Sequence, residues 1–459
     1  MTMRRSLGAA VLMTLAAATP LWASQESGGE GTGLIVRLFV ILGVMLVAGK
    51  FSGELFERIG QPAVLGELIA GILLGSSVLG VIPTSPDNPL TEIITIFAEI
   101  GVVVLLFEIG LETDLKQMFR VGGGALSVAT VGVVLPMLGG LLFWLAPFIP
   151  AALNQVSPTT TAIFLGATLT ATSVGITARV LQDLRLMHSV EARVIIGAAV
   201  IDDIMGIVLL GLVSSLVAGS AVSVLSIGRS VAIAIGFLVA AVGVGLLFAP
   251  RVFGLLEKLS VRGMLLVSAF AFLLFMAAAA DQVGLAMIIG AFAAGLVLSG
   301  TNQFDVITER IKPVADIFTP VFFLSIGAKF DVRLLNPMNP DNVSVLLIGG
   351  ALFVIAVLGK IVAGWAAPWI KFNRPGVGIG MIPRGEVGLI FANMGLMAGV
   401  VNTELFSAVV IMLMGTTFIA PPLLKWSFGR WGVTDSTGLH AVPQEEQRHR
   451  EAPPPGDGG

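Results

Sequence analysis

Asp202 and Asp203 stand side by side inside the apolar run 190–217, where a carboxylate is hard to keep. A charged group near the centre of a bilayer costs about 2.5–3.5 kcal/mol on insertion scales, so it persists when it is paired or used. Lys360, Arg384 and Glu386 are similarly centred in later apolar runs, and Glu67, Glu99 and Asp316 are further candidates. Adjacent residues on a helix point about 100° apart, so the two aspartates cannot face one ligand in the same way. One can line a water-accessible cavity while the other meets a partner helix. Lys360, following Val357-Leu358-Gly359, is the obvious basic partner. A purely structural ion pair is the competing reading, but such a pair needs one acid, not two. Burial favours the neutral form of a carboxylate, and a facing lysine favours the charged form. A carboxylate that accepts a proton no longer attracts a cation, so one site can exchange the two.

The elements that must hold these groups are apolar helices. The 459-residue chain is 56% hydrophobic and 12% charged, with mean hydropathy +0.96. A soluble domain carries roughly twice that share of charge. The formal net charge of −3 gives no basic excess for nucleic acid. No cysteine is present, which excludes thiol catalysis, thiolate metal sites and disulfides. Thirteen segments of spanning length lie near 34–50, 62–82, 91–110, 120–146, 158–182, 190–217, 226–249, 262–280, 284–300, 312–331, 343–370, 376–400 and 404–425. Residues 1–23 read as a signal peptide: Arg4 and Arg5 precede a short apolar core and a small-residue cleavage point at Ala23 or Ser24. Cleavage would leave the mature N-terminus in the periplasm. The loops then assigned to the cytoplasm hold fourteen Lys and Arg, and the opposite side holds four: Arg37, Arg229, Lys329 and Arg333. That asymmetry fits the span count and implies a cytoplasmic C-terminus.

Two segments carry helix-breaking runs. The fifth contains Thr170-Ala171-Thr172-Ser173-Val174-Gly175, and the twelfth contains Pro383-Arg384-Gly385-Glu386. Proline removes a backbone donor and glycine relaxes the helix. Unwound there, each segment would place half-helix partial charges at the membrane interior. The second and third segments also resemble the ninth and tenth. Leu65-Gly66 and Gly71 align with Ile289-Gly290 and Gly295 at an offset of 224, and Ile109-Gly110 and Asp114 align with Ile326-Gly327 and Asp331 at 217. Seven segments separate each pair, an odd number, so the copies would have opposite orientation. Inverted repeats with a midplane site are an architecture of secondary transporters.

At these residues the sequence resembles the monovalent cation/proton antiporters of the second cation–proton antiporter family, most nearly the NapA-type sodium/proton antiporters. The motifs are Gln61-Pro62 with Gly66-Glu67, Ala171-Thr172-Ser173-Val174-Gly175-Ile176-Thr177-Ala178-Arg179, Val200-Ile201-Asp202-Asp203, Leu358-Gly359-Lys360, and Pro383-Arg384-Gly385-Glu386-Val387-Gly388-Leu389-Ile390. The resemblance implies an all-α polytopic membrane protein of 13 transmembrane helices in two inverted-topology repeats, with two broken crossing helices. Its membrane domain would cover 34–425: scaffold and dimer helices 34–110 and 262–331, core helices 120–217 and 343–425, and a linker helix 226–249. It implies a homodimer in the bacterial inner membrane that exchanges sodium or lithium for protons in the service of pH homeostasis, with no cofactor. Asp203 would carry sodium or protons, Asp202 would share the site and pair with Lys360, and Thr172 and Ser173 would lie beside it. Arg384, Glu386 and Glu67 would be supporting intramembrane charges. Potassium/proton exchange is the alternative; retention of Asp202 favours the sodium-type, electrogenic subgroup. The polar stretch 432–459 is expected to be a disordered cytoplasmic tail.

Channel and enzyme readings find little support in the sequence. A potassium filter of the Thr-Val-Gly-Tyr-Gly kind is impossible without tyrosine. Neither His-Glu-x-x-His nor Gly-x-Ser-x-Gly occurs, and Gly359-Lys360 is followed by Ile361 rather than by the Ser or Thr of a phosphate loop.

Overall fold

The computed structural model describes residues 30–113, 115–147, 156–217, 224–259, 261–338, 340–434 and 440–441. The expected signal peptide, Asp114 and most of the tail lie outside them. The helices are α1 Glu30–Arg58, α2 Ala63–Leu74, α3 Pro89–Glu112, α4 Leu115–Trp144, α5 Pro158–Thr168, α6 Val174–Asp183, α7 Val190–Val217 and α8 Val224–Leu256. They continue as α9 Met264–Gln282, α10 Met287–Ser299, α11 Phe304–Ala328, α12 Pro340–Ala363, α13 Arg374–Gly380, α14 Glu386–Met397 and α15 Thr403–Trp431. Each of the thirteen apolar segments coincides with one helix or, for the fifth and twelfth, with two short helices in succession (α5 with α6, α13 with α14). Among the described residues, eight helices are long and apolar enough to cross a membrane. In lipid every peptide group must find its partner within the protein, so these apolar runs have the helix as their available form.

The ends follow local chemistry. The Ser157 side chain accepts from Thr160 N–H, with Pro158 at the first helical position of α5, and Asn402 accepts from Leu405 N–H at the start of α15. The second segment departs from its expected extent. Its helix stops at Leu74 rather than near 82, because Gly75 turns to extended backbone and the following loop closes on itself, with Ser76 Oγ donating to Ile82 O at 3.2 Å. Glu99 and Asp316 are not buried within the single chain. Glu99 is exposed, and Asp316 forms a 2.7 Å pair with Lys50 in which both side chains are more than half exposed.

The chain divides into two compact units, 1–105 with 309–333 and 106–308 with 334–459. Residues 262–299, expected with the scaffold segments, group with the second unit. The reason is close packing: α10 lies against the end of α3 and against α8, where Gly245 leaves room for Val297. Within the first unit, a Cβ at Gly71 would run into the Leu324 carbonyl, and one at Gly327 into the Leu68 carbonyl, so α2 and α11 meet backbone to backbone. Within the second, Gly110 and Gly295 do the same for α3 and α10, meeting the carbonyls of Phe292 and Phe107. Small residues are what allow membrane helices to approach this closely.

Residues 433–434 are not loose. Val433–Thr434 (β1) pairs antiparallel with His440–Ala441 (β2), where the sequence suggested an unstructured tail. Of the glycines, Gly295 tests the packing most cleanly. Gly295→Ala should cost about 1–3 kcal/mol by overpacking, read as a lower Tm in detergent. Gly123→Ala, with nothing within 4 Å of the added methyl, should leave Tm unchanged or raise it, because alanine is the better helix former.

Candidate ion-binding site

Apart from Glu67, the groups described next belong to the second unit. The fifth segment unwinds between Thr168 and Val174, and the twelfth between Gly380 and Glu386. The two breaks face each other. Ser173 N–H donates to Pro383 O at 2.8 Å, and Gly385 has no room for a Cβ because the Ser173 side chain fills that space. Each break donates to carbonyls that the other leaves open. At the end of α13, Gly380 O accepts from Thr177 Oγ1 at 2.7 Å and Met381 O from Thr172 Oγ1 at 3.2 Å. At the end of α5, the fully buried Arg384 donates through Nη1 to Thr170 O at 3.0 Å and to Ala171 O at 2.5 Å. A guanidinium at a helix C-terminus also meets the negative end of the helix dipole. The carbonyl of Arg384 itself accepts from Thr417 Oγ1 on α15.

The charges lie on helices packed around this crossing. Lys360 Nζ is 3.0 Å from Asp202 Oδ2, and both side chains are 0% exposed. The lysine reaches the aspartate because α12 presses against α4 where α4 is small: an added Cβ at Gly132 would lie 3.3 Å from Lys360 Nζ, and one at Gly359 would strike Pro136. Asp202 Oδ1 makes no hydrogen bond among the described residues, and neither does Ser173 Oγ. Asp203, one position along α7, is also buried. The structure thus brings Lys360 to Asp202 and joins Thr172, Ser173 and Arg384 in the crossing. Glu386 opens α14, its side chain lying outside the described residues. Glu67 is buried on α2 in the other unit.

Sequence reasoning missed three participants. Thr417 is one of two threonines in an apolar run and reads as ordinary packing. Thr177 lies in a quoted motif without an assigned role. Glu191, buried in the first turn of α7, reads as a dipole-compensating surface acid. Only the third offered a signal: a carboxylate flanked closely by apolar residues.

Interrupted helices crossing beside buried, paired charges within a helical multi-pass membrane protein define a secondary transporter rather than an enzyme. The chain belongs to the sodium/hydrogen exchanger family, whose transmembrane model it matches over residues 42–428. It is 38% identical to the high-affinity Na(+)/H(+) antiporter NhaS3 of Synechocystis sp., over 89% of this chain and 95% of that one. It is 35% identical to the Na(+)/H(+)-K(+) antiporter GerN of Bacillus cereus, over 86% of this chain and 97% of that one. Its fold is similar to that of the sodium proton antiporter MjNhaP1 from Methanocaldococcus jannaschii, with a TM-score of 0.58 at 19% identity, covering 87% of this chain and 98% of that one.

Breaking a buried ion pair from one side leaves a charge uncompensated, at about 3–5 kcal/mol, whereas removing both partners costs far less. Lys360→Met should therefore lower the Tm in detergent clearly, and adding Asp202→Leu should restore much of the loss. Equal additive losses from the two substitutions would mean that the pair contributes no coupling.

Proposed function

We propose that this protein exchanges sodium, or lithium, for protons across the bacterial inner membrane by alternating access, and that Asp203 carries the transported species. The observation that carries the reading is the crossing of two interrupted helices beside a fully buried Lys360–Asp202 pair with a second aspartate adjacent. The carboxyl of Asp203 binds either a proton or a sodium ion, and each excludes the other. Asp202 Oδ1 and Ser173 Oγ, buried without a protein partner among the described residues, are the kind of oxygens that a cation or its water would satisfy. Lys360 holds the charge of Asp202 while the site is empty. If a sodium ion at the pair displaces that ammonium's proton as well, more than one proton leaves per sodium and transport is electrogenic.

The wider architecture belongs to the same proposal. Thirteen spans in two inverted repeats put the N-terminus in the periplasm and the C-terminus in the cytoplasm. The glycine contacts support the repeat. Gly71 against Leu324 maps onto Gly295 against Phe107 at offsets of 224 and 217, and Gly327 against Leu68 maps onto Gly110 against Phe292 at the same offsets. Helices 120–217 and 343–425 form the moving core, and the protein works as a homodimer through its scaffold helices. Potassium is the second reading as substrate, because the name of the GerN relative includes K(+).

Everted vesicles with a pH-sensitive dye test the function directly. Sodium and lithium should each dequench the dye, with potassium weaker. Asp203→Asn, which keeps the shape and removes the titrating group, should insert normally and exchange none of the three. Exchange by Asp203→Asn at the unmodified rate would reject Asp203 as the carrier.

A further inference from the structure

At the other end of α7 from the aspartates, a second buried carboxylate ties the chain together. Glu191 is fully enclosed. Its Oε1 accepts from the backbone N–H of Asn373 at 2.8 Å and from that of Thr434 at 3.1 Å, and its Oε2 accepts from Thr434 N–H at 3.0 Å. Asn373 extends the tie. It caps α13, its Oδ1 accepting from Gly376 N–H at 2.9 Å, while its Nδ2 donates to Ser427 O at 3.2 Å and to Gly432 O at 3.0 Å. Four pieces of chain therefore meet at one carboxylate and one amide: the starts of α7 and α13, the end of α15, and β1. A glutamate needed only to complement a helix dipole could stay in water. This one is desolvated, which is costly unless hydrogen bonds to the charge compensate it, and here main-chain donors from two distant segments do so.

The location gives the tie its significance. α7 bears Asp202 and Asp203, α13 leads into the break at Pro383–Gly385, and α15 supplies Thr417 to that break. Glu191 is twelve residues before Asp203, about 18 Å along a helix, so it cannot touch the transported ion.

We propose that Glu191 is a positioning residue for transport. It clasps the ends of α7, α13 and α15 through the strand that follows the last helix, so that the three helices move as one body when the site changes sides. β1 is then a working part of the transport core rather than the beginning of a tail. The transport arm of the test rests on the exchange reading above; the stability arm does not.

The test uses Glu191→Gln, Thr434→Pro, which deletes the donating N–H, their double variant, and Thr434→Ala, which keeps that N–H. In proteoliposomes, with rates normalised to folded transporter, Glu191→Gln and Thr434→Pro should each lower the maximal exchange rate severalfold. The sodium concentration for half-maximal rate should stay within about twofold, because the ion site is untouched. Thr434→Ala should behave as the unmodified protein. The double variant should be no worse than the worse single variant, in rate and in Tm, because both break one clasp. Unchanged maximal rates per folded transporter would overturn the proposal, leaving Glu191 a purely structural tie. A shift confined to half-saturating sodium would also overturn it. Should Glu191→Gln fail to fold, the contrast between Thr434→Pro and Thr434→Ala decides alone, and equal rates refute the clasp. If the unmodified protein exchanges no cation, the exchange reading is what has failed; the clasp is then judged by Tm, where additive losses in the double variant refute it.

Discussion

Two stretches of unwound backbone enclosed among apolar helices must have their peptide groups satisfied by protein, because an unpaired amide in such a place costs several kcal/mol. The crossing of the fifth and twelfth segments is the solution found here, and much else is arranged around it. Arg384 spans from one break to the carbonyls of the other, Thr172 and Thr177 return the same service, and Ser173 and Pro383 join directly through their main chains. The two breaks cannot be altered independently. Gly385 leaves space that the Ser173 side chain fills, and Thr417 reaches in from α15 to the Arg384 carbonyl.

Charge follows the same economy. Asp202 and Asp203 on α7 stand beside Lys360 on α12, and on the proposed mechanism Asp203 is what a proton or a sodium ion neutralises in turn. The positive end of a half-helix and a fixed arginine set the background field, but neither can be given up, since both are committed to backbone. Lys360 can be, because its one hydrogen-bond partner among the described residues is the Asp202 side chain, and its stem lies against Gly132, where a bulkier residue would crowd it. At the opposite end of α7 the chain uses a carboxylate in a contrasting way. Glu191 is saturated by main-chain donors, so it holds structure where Asp202, with one oxygen open, can take part in exchange.

The charged residues of the site were legible because a charge inside an apolar run stands out against its neighbours. Asp202, Lys360 and Arg384 declared themselves this way, and Pro383 with Gly385 marked a break by removing a donor and a side chain. What Arg384 touches was not legible, since Thr170 and Ala171 lie more than two hundred positions away and offer only carbonyls. Glu99 and Asp316 stand out in sequence as Asp202 does, yet they are exposed in the single chain and Asp316 pairs with Lys50. Apolar neighbours in sequence say nothing about which face of the helix a residue occupies, and these two point outward in the single chain. The early end of α2 was hidden because the residues beyond Gly75 remain apolar while the backbone has already turned. The ordering of β1 was hidden because its anchor, Glu191, is remote in sequence and Thr434 contributes only an N–H.

The central claim is that one buried site serves proton and cation in competition. Equilibrium sodium binding to the purified protein, measured across a series of pH values at constant ionic strength, tests it without reference to transport. A shared site predicts that apparent affinity falls as pH is lowered, approaching about tenfold per pH unit for each proton displaced, with protons released to the buffer on binding. Sodium affinity that stays constant with pH, with no proton release, would contradict the account.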